Sequence, residues 1–166
     1  VIIMSSLLNV EASFDLAENL YHYENDLIII AGPTCVGKSL IAMELAKKID
    51  GVLINADSVQ VYEDLKLLSA RPSEEDMRQI PHFLYGYVKG EKNYSIADWL
   101  QQLHKVLDNL KKIKKTAILV GGSGLYLNSV INGLAPIPRL KDEIKKESLL
   151  KLNEVGIDNF KKINFN

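Results

Sequence analysis

The sequence predicts an α/β fold in which helices flank a parallel sheet. Three apolar runs, at 27–31, 51–55 and 116–120, have the length and composition of buried strands. Each run is followed by a loop of glycine and polar residues and then by a helical pattern. Because this unit repeats, we expect the three strands to be parallel and to end at one edge of the sheet.

The composition is that of an ordinary globular protein. The chain has 166 residues, 47% hydrophobic and 25% charged, which suits one domain or one domain plus part of another. Its net charge of −1 predicts no general attraction to nucleic acid, although a local basic patch stays compatible with it. A single cysteine and the lack of a long apolar run predict a cytoplasmic protein with no membrane partner.

The chain is expected to divide into three segments. Residues 1–26 are expected to form an N-terminal extension, loosely docked or disordered, to which we assign no function. The core is expected at 27–138, because two prolines near its end mark a boundary. Residues 139–166 carry a helical pattern and are expected to begin a helical insertion domain.

The first strand runs directly into a phosphate-binding sequence. Residues 32–39 fit the pattern G-x-x-x-x-G-K-[ST], in which glycines allow successive backbone N–H groups to face one anion. The following helix points the positive end of its dipole at the same anion. Lys38 adds a charge on the outer phosphates, and the Ser39 hydroxyl can ligate Mg²⁺. We therefore predict a diphosphate or nucleotide site, with Mg²⁺ as cofactor, formed by Gly32, Pro33, Thr34, Cys35, Val36, Gly37, Lys38 and Ser39.

The second predicted strand is followed closely by Asp57. Ligands of open parallel sheets bind beyond the carboxyl ends of the strands, which places Asp57 near the phosphate-binding loop. A carboxylate there could orient Mg²⁺-bound water or take a proton from an acceptor. It could equally cap a helix that begins at Ser58. Position alone leaves both roles open, and one residue can fill both.

The third predicted strand ends in a glycine-rich loop, Gly-Gly-Ser-Gly-Leu-Tyr, at 121–126. Glycines at this edge permit close approach by a ligand or a neighbouring loop, and Ser123 can donate a hydrogen bond into the site. Phe83–Val88 resembles a further strand that Gly86 weakens. Helices are predicted over 39–49, from 73, over 95–114 and over 125–131.

Several strings occur together in an order and spacing that resemble one enzyme family. They are Gly-Pro-Thr-x-x-Gly-Lys-Ser at 32–39, Asp-Ser-x-Gln-Val-Tyr at 57–62, Ala-Arg-Pro-Ser at 70–73 and Val-Gly-Gly-Ser-Gly-Leu-Tyr at 120–126. In these strings the chain resembles the tRNA dimethylallyltransferases, also called tRNA isopentenyltransferases. The resemblance implies a sheet like that of the P-loop NTPases.

The resemblance also implies a reaction and a set of site residues. Dimethylallyl diphosphate would give its prenyl group to N6 of an adenosine beside the anticodon of tRNA. Asp57, Thr34 and Lys38 would be the catalytic residues, with the prenyl diphosphate bound along 34–39. The tRNA base would lie against Asp57, Ser58, Val59, Gln60 and Ser123.

The chain departs from the family pattern in three respects. Ser123 stands where threonine is common, and Phe83 stands where a second histidine is common. The later arginine-rich segment of the family, which contacts the diphosphate and the tRNA, does not occur up to residue 166. We therefore expect roughly the first half of a full-length member, which binds dimethylallyl diphosphate but transfers it poorly unless a second chain supplies the other half.

Two other functions fit parts of the sequence. A P-loop small-molecule kinase would use ATP and would also place an aspartate after the second strand. Such kinases usually carry an arginine-rich lid, whereas the arginines here, at 71, 78 and 139, are scattered. A non-catalytic protein that only binds a nucleotide or diphosphate would need the phosphate-binding loop alone.

Overall fold

The computed structural model, which describes residues 27–134 and 141–161, contains a four-stranded parallel sheet. The spatial order of its strands is β1-β4-β2-β3, and every pairing is parallel. The strands are β1 (Leu27–Ala31), β2 (Val52–Asn55), β3 (His82–Phe83) and β4 (Ala117–Gly121). The predicted fold class and the three predicted strands are confirmed, with ends shifted by at most one residue.

The described residues also form six α-helices and one short 3₁₀ turn. Side chains of Ser73 and Ser95 each accept a hydrogen bond from the backbone N–H three residues on, so both predicted caps form. The helices are α1 (Lys38–Ile49), α2 (Glu74–Gln79), α3 (Ile96–Lys112), α4 (Gly124–Asn132), α5 (Asp142–Val155) and α6 (Ile157–Phe160), and the 3₁₀ turn is Glu63–Leu65.

Both faces of the sheet are covered, which is why its strands read as continuous apolar runs. On one face, Ile29, Ile54 and Leu119 pack against buried residues of α3 and α4, including Trp99 and Tyr126. The opposite face packs against α1 through Ile28, Ile30, Leu53, Ile118 and Val120, which meet Ala42, Leu45 and Ala46. With both faces filled, the carboxyl edge of the strands is the part of the sheet left for a ligand.

The prediction of a strand over Phe83–Val88 is wrong for most of its length. Pairing with β2 stops at Phe83, because Leu84 and Gly86 adopt positive φ angles of 62° and 53°. Val88 then forms an isolated bridge to Tyr62. These residues therefore form an irregular loop beside the carboxyl end of β2.

The described residues form two compact units that divide between Gly133 and Leu134. In the second unit, α5 and α6 meet at Gly156, whose φ of 75° breaks the helical pattern at the predicted position. The extension predicted at 1–26 and the boundary predicted at 138 lie outside the described residues. None of the described helices combines the length and hydropathy needed to cross a bilayer.

Candidate active site

The loops after β1, β2 and β4 meet at one place. Because β4 lies between β1 and β2, its loop contacts both of the others. A β-carbon built on Gly122 would lie 2.9 Å from the carbonyl oxygen of Gly32 and 3.9 Å from Nζ of Lys38. On the other side, Ser123 N–H donates to the carbonyl oxygen of Ala56 over 3.3 Å. The three predicted ligand loops therefore belong to a single site.

The phosphate-binding loop presents its side chains outward. Gly37 has a φ of 84°, and the loop also holds Cys35 in the left-handed region, with a φ of 66°. The Nζ of Lys38 donates to the carbonyl oxygen of Pro33 over 2.6 Å, so this ammonium group lies across its own loop. The predicted loop residues that are exposed are Pro33, Thr34, Cys35, Val36 and Ser39.

The described residues offer few protein ligands for a metal ion. They contain no group of three or more His, Cys, Asp and Glu side chains that could hold one. Ser39, exposed in the first turn of α1, offers one hydroxyl oxygen next to Lys38. This arrangement suits a magnesium ion that takes most of its ligands from phosphate oxygens and water.

Asp57 lies in a turn at the carboxyl end of β2 and is half-buried. Its Oδ1 accepts hydrogen bonds from the backbone N–H groups of Val59 at 2.8 Å and Gln60 at 3.4 Å. The capping contact considered for Asp57 therefore forms, but residues 58–61 make a turn rather than the helix that such a cap could begin. Within the described part of the chain, Oδ2 has no hydrogen-bond partner and the carboxylate no ion pair. Oδ1 thus shapes the turn, and Oδ2 takes no part in it.

The two serines of the site bind each other. Ser58 N–H donates to Oγ of Ser123 over 2.9 Å, and the Ser123 hydroxyl donates to Oγ of Ser58 over 3.2 Å. The predicted donation from Ser123 into the site is therefore directed at Ser58, which fixes the β2 and β4 loops to one another. The amide of Gln60 likewise donates to the carbonyl oxygen of Ser69 over 2.8 Å, and Val59 is 45% exposed.

Two tyrosines near Asp57 stay protonated. Burial raises the pKa of the Tyr85 phenol, and the nearby Asp57 carboxylate raises that pKa further. Burial, followed by weaker contributions from other tyrosines and Asp57, raises the pKa of Tyr126 to about 12. Both phenols are therefore neutral near pH 7, and each can donate a hydrogen bond but carries no charge.

Sequence reasoning missed two residues of this site, Tyr85 and Asn55. Tyr85 has no local signal, because it reaches Asp57 through the loop that follows β3. Asn55 does have a local signal, because it is a polar residue that ends a buried strand two positions before Asp57. The side-chain amide of Asn55 is 0% exposed, so it must satisfy its hydrogen bonds inside the protein.

The sequence of the chain is similar to a known protein family and to individual members of it. The family model for IPP transferase matches residues 60–163. The chain belongs to the IPP transferase family. It is 49% identical over 120 residues to a tRNA dimethylallyltransferase of Hyphomonas neptunium, covering 72% of this chain and 38% of that protein. It is 44% identical over 139 residues to the tRNA dimethylallyltransferase of Pelagibacter ubique, covering 84% and 44%.

Solved structures of tRNA isopentenyltransferases and dimethylallyltransferases also resemble this IPP transferase family member. The full-length tRNA isopentenylpyrophosphate transferase of Bacillus halodurans superposes with a TM-score of 0.65 at 30% identity, over 82% of this chain and 45% of that one. A eukaryotic dimethylallyltransferase acting on tRNA also superposes with a TM-score of 0.65, at 25% identity, over 83% of this chain and 37% of that one. The chain thus spans less than half the length of these curated and solved relatives.

The exposed Cys35 provides a direct test of the phosphate-binding loop. We expect iodoacetamide to label it, and inorganic pyrophosphate with Mg²⁺, at about ten times the dissociation constant, to slow labelling about tenfold by covering the loop. Cys35 is the only cysteine of the chain, so the mass shift reports on this position alone. A Cys35→Ser variant gives the unlabelled baseline. Labelling that stays equally fast with saturating pyrophosphate would contradict a phosphate site here.

Proposed function

We propose that this chain provides the donor site and the proton-accepting group for transfer of a dimethylallyl group from dimethylallyl diphosphate to an adenosine of tRNA. The observation that carries the proposal is the meeting of the phosphate-binding loop and Asp57 around the β4 loop. One part of that site suits a diphosphate leaving group and the other suits an acceptor that must lose a proton.

The donor side is the loop at 32–39. An allylic diphosphate leaves readily when the charge that develops on it is neutralised. The backbone N–H groups of the loop and the positive end of α1 face that charge, and Lys38 moves from Pro33 to the outer phosphate oxygens. The Ser39 hydroxyl would hold Mg²⁺ there, and a bound Mg²⁺ would supply further positive charge.

The acceptor side is the turn at Asp57. The exocyclic amino nitrogen of adenine is a poor nucleophile, because its lone pair is delocalised into the ring. As this nitrogen forms its bond to the allylic carbon, the carbon–oxygen bond breaks and diphosphate departs with the electron pair. The proton from nitrogen passes to Oδ2 of Asp57, while Oδ1 keeps the turn in place.

The tRNA would bind along the loops that follow β2 and β4. Asp57 is followed in its turn by Ser58, Val59 and Gln60, and Ser58 is bonded to Ser123. These residues therefore lie next to the carboxylate that the adenine would approach. A base within a tRNA loop has to leave its stack to enter such a site, as bases do in other base-modifying enzymes. The protein is proposed to work in the cytoplasm.

Two assays test the proposal. In the first, the 166-residue chain is titrated by calorimetry with dimethylallyl thiodiphosphate, with and without Mg²⁺. The second assay uses a chimaera, in which this chain replaces the segment that it matches in the Hyphomonas neptunium relative. Transfer of the prenyl group by the chimaera to unmodified tRNA is measured. Saturable binding and transfer are expected. A chimaera that melts cooperatively but releases phosphate from ATP instead of prenylating tRNA would indicate a kinase.

A further inference from the structure

The side chain of Asn55 holds both main-chain groups of Asp57. Its Oδ1 accepts from the Asp57 N–H over 2.9 Å, and its Nδ2 donates to the Asp57 carbonyl oxygen, also over 2.9 Å. Asn55 is 0% exposed, so water does not compete for these bonds. A single buried amide therefore restrains the peptide groups on either side of the Asp57 side chain.

Asn55 is itself held in place by the sheet and by α3. It pairs with Val120 of β4, and its carbonyl oxygen accepts from the indole N–H of Trp99 over 3.1 Å. Trp99 is completely buried and stacks on Tyr126 of α4, with ring centroids 4.3 Å apart. The support behind Asp57 thus reaches two helices and the centre of the sheet, all of them parts of the packed core.

Asn55 also ties the β3 loop to the same point. Its Nδ2 donates a second hydrogen bond, over 3.0 Å, to the carbonyl oxygen of Leu84. Leu84 has a φ of 62°, so the chain leaves the direction of β3 at this residue, immediately before Tyr85. The charge of Asp57 contributes, after burial, to the raised pKa of the Tyr85 phenol. The amide of Asn55 therefore sets the turn that carries Asp57 and the loop that carries Tyr85 relative to each other.

We infer that Asn55 is a positioning residue, which sets the direction of the Asp57 carboxylate and its distance from the acceptor; this rests on the proposed role of Asp57. A general base must come within about 2.6–3.2 Å of the atom that loses the proton. A misplacement of about 1 Å can lower a rate about 10²-fold. Without the amide of Asn55, nothing else in the described structure bonds to the N–H and the carbonyl oxygen of Asp57 together.

Two variants separate positioning from filling of space. Asn55→Ala removes all three hydrogen bonds and leaves a small cavity. Asn55→Asp keeps the shape and the acceptor for Asp57 N–H, but it faces the carbonyl oxygens of Asp57 and Leu84 with at most one donor, and only when protonated. Only Asn55→Ala leaves a cavity, so an effect that both variants share cannot come from lost volume, and melting shows what the buried carboxyl group costs in stability.

Ser129→Ala is the matched control. Ser129 is 3% exposed, and its hydroxyl donates to the carbonyl oxygen of Tyr126 over 2.7 Å within α4. The control therefore also removes a buried hydrogen bond of the same unit, but one that involves neither Asn55 nor the turn at Asp57. Thermal melting of all variants shows whether each is folded and by how much it is destabilised.

The first measurement uses the 166-residue chain and does not depend on any activity. Amide hydrogen exchange is followed at Val59 and Gln60, whose N–H groups bond to Oδ1 of Asp57. We expect both Asn55 variants to exchange about tenfold faster there than the parent chain, with α1 and β4 unchanged, and Ser129→Ala to match the parent. Unchanged protection of Val59 and Gln60 in both Asn55 variants would overturn the inference.

The second measurement uses the chimaera. Both Asn55 variants are expected to lower kcat for transfer about 10²-fold, with KM for the donor and its affinity changed by less than about threefold. Ser129→Ala is expected to keep kcat within about threefold. A fall in kcat that merely tracks melting temperature across all three variants would overturn the inference. If the parent chimaera transfers nothing, the proposed function fails, and the exchange measurement still decides whether Asn55 positions the turn.

Discussion

Replacing Asp57 by alanine in the chimaera is expected to lower prenyl transfer about 10²–10⁴-fold, the usual contribution of a general base. Donor affinity should stay within about twofold, because the carboxylate is proposed to act on the acceptor nitrogen and not on the diphosphate. Lys38→Ala should abolish binding of the donor, since Lys38 meets the diphosphate before any bond breaks. Calorimetry with dimethylallyl thiodiphosphate measures binding, and a single-turnover assay on tRNA measures transfer.

The isosteric variant Asp57→Asn separates the two roles of this side chain. An asparagine keeps an oxygen that can accept from Val59 N–H and Gln60 N–H, so the turn is preserved, but it cannot accept the proton. If Asp57 acts as the base, Asp57→Asn is nearly as inactive as Asp57→Ala. Near-normal transfer by Asp57→Asn would show that Asp57 only shapes the turn. Equal loss of donor binding in the Asp57 and Lys38 variants would contradict the division of labour.

Gly121→Ala is expected to destabilise the fold and to disrupt the site at the same time. A β-carbon on Gly121 would lie 2.2 Å from the carbonyl oxygen of Ala56 and 2.3 Å from its carbonyl carbon. These are backbone atoms, and Ala56 is held by its N–H bond to Val120 O at 2.8 Å. Because β2 and β4 must separate to admit the methyl group, we expect a loss of about 1–3 kcal/mol, the usual cost of overpacking.

Gly124→Ala is the matched control for this prediction. It lies three residues further on, at the start of α4, and a β-carbon there would meet nothing within 4 Å. Alanine favours helix over glycine, so we expect the stability to be unchanged or to rise by up to about 1 kcal/mol. Denaturant unfolding of both variants, with donor titration, makes the comparison. Equal stability of the two variants would mean that the β2 and β4 ends are not as closely packed as described.

The strands and the phosphate-binding loop were predictable because their signals are local. The apolar runs at 27–31 and 116–120 are buried on both faces, and such strands show in the sequence as continuous hydrophobic stretches. Ser73 and Ser95 cap helices through contacts that span three residues, so their pattern is complete within a short window.

The errors arose where distant parts of the chain decide the conformation. Phe83–Val88 has the composition of a strand, but the backbone turns at Leu84, whose carbonyl oxygen is bound by Asn55, 29 residues earlier. Residues 58–61 follow a good helix cap, but Ser58 N–H bonds to Ser123, 65 residues later, and the segment stays a turn. Neither Asn55 nor Ser123 belongs to the short stretch of sequence from which the conformation of its partner was predicted.

The sequence by itself determined the α/β class, the phosphate-binding loop at 32–39, and the presence of Asp57 and Ser123 just beyond predicted strands. Only the tertiary structure decided that β4 lies between β1 and β2, so that one glycine-rich loop contacts both the phosphate-binding loop and the end of β2 next to Asp57. It also decided that Asn55 supports Asp57. The physical reason is that strand order and buried hydrogen bonds depend on pairings between residues far apart in the chain, whereas hydrophobic period and capping depend on close neighbours.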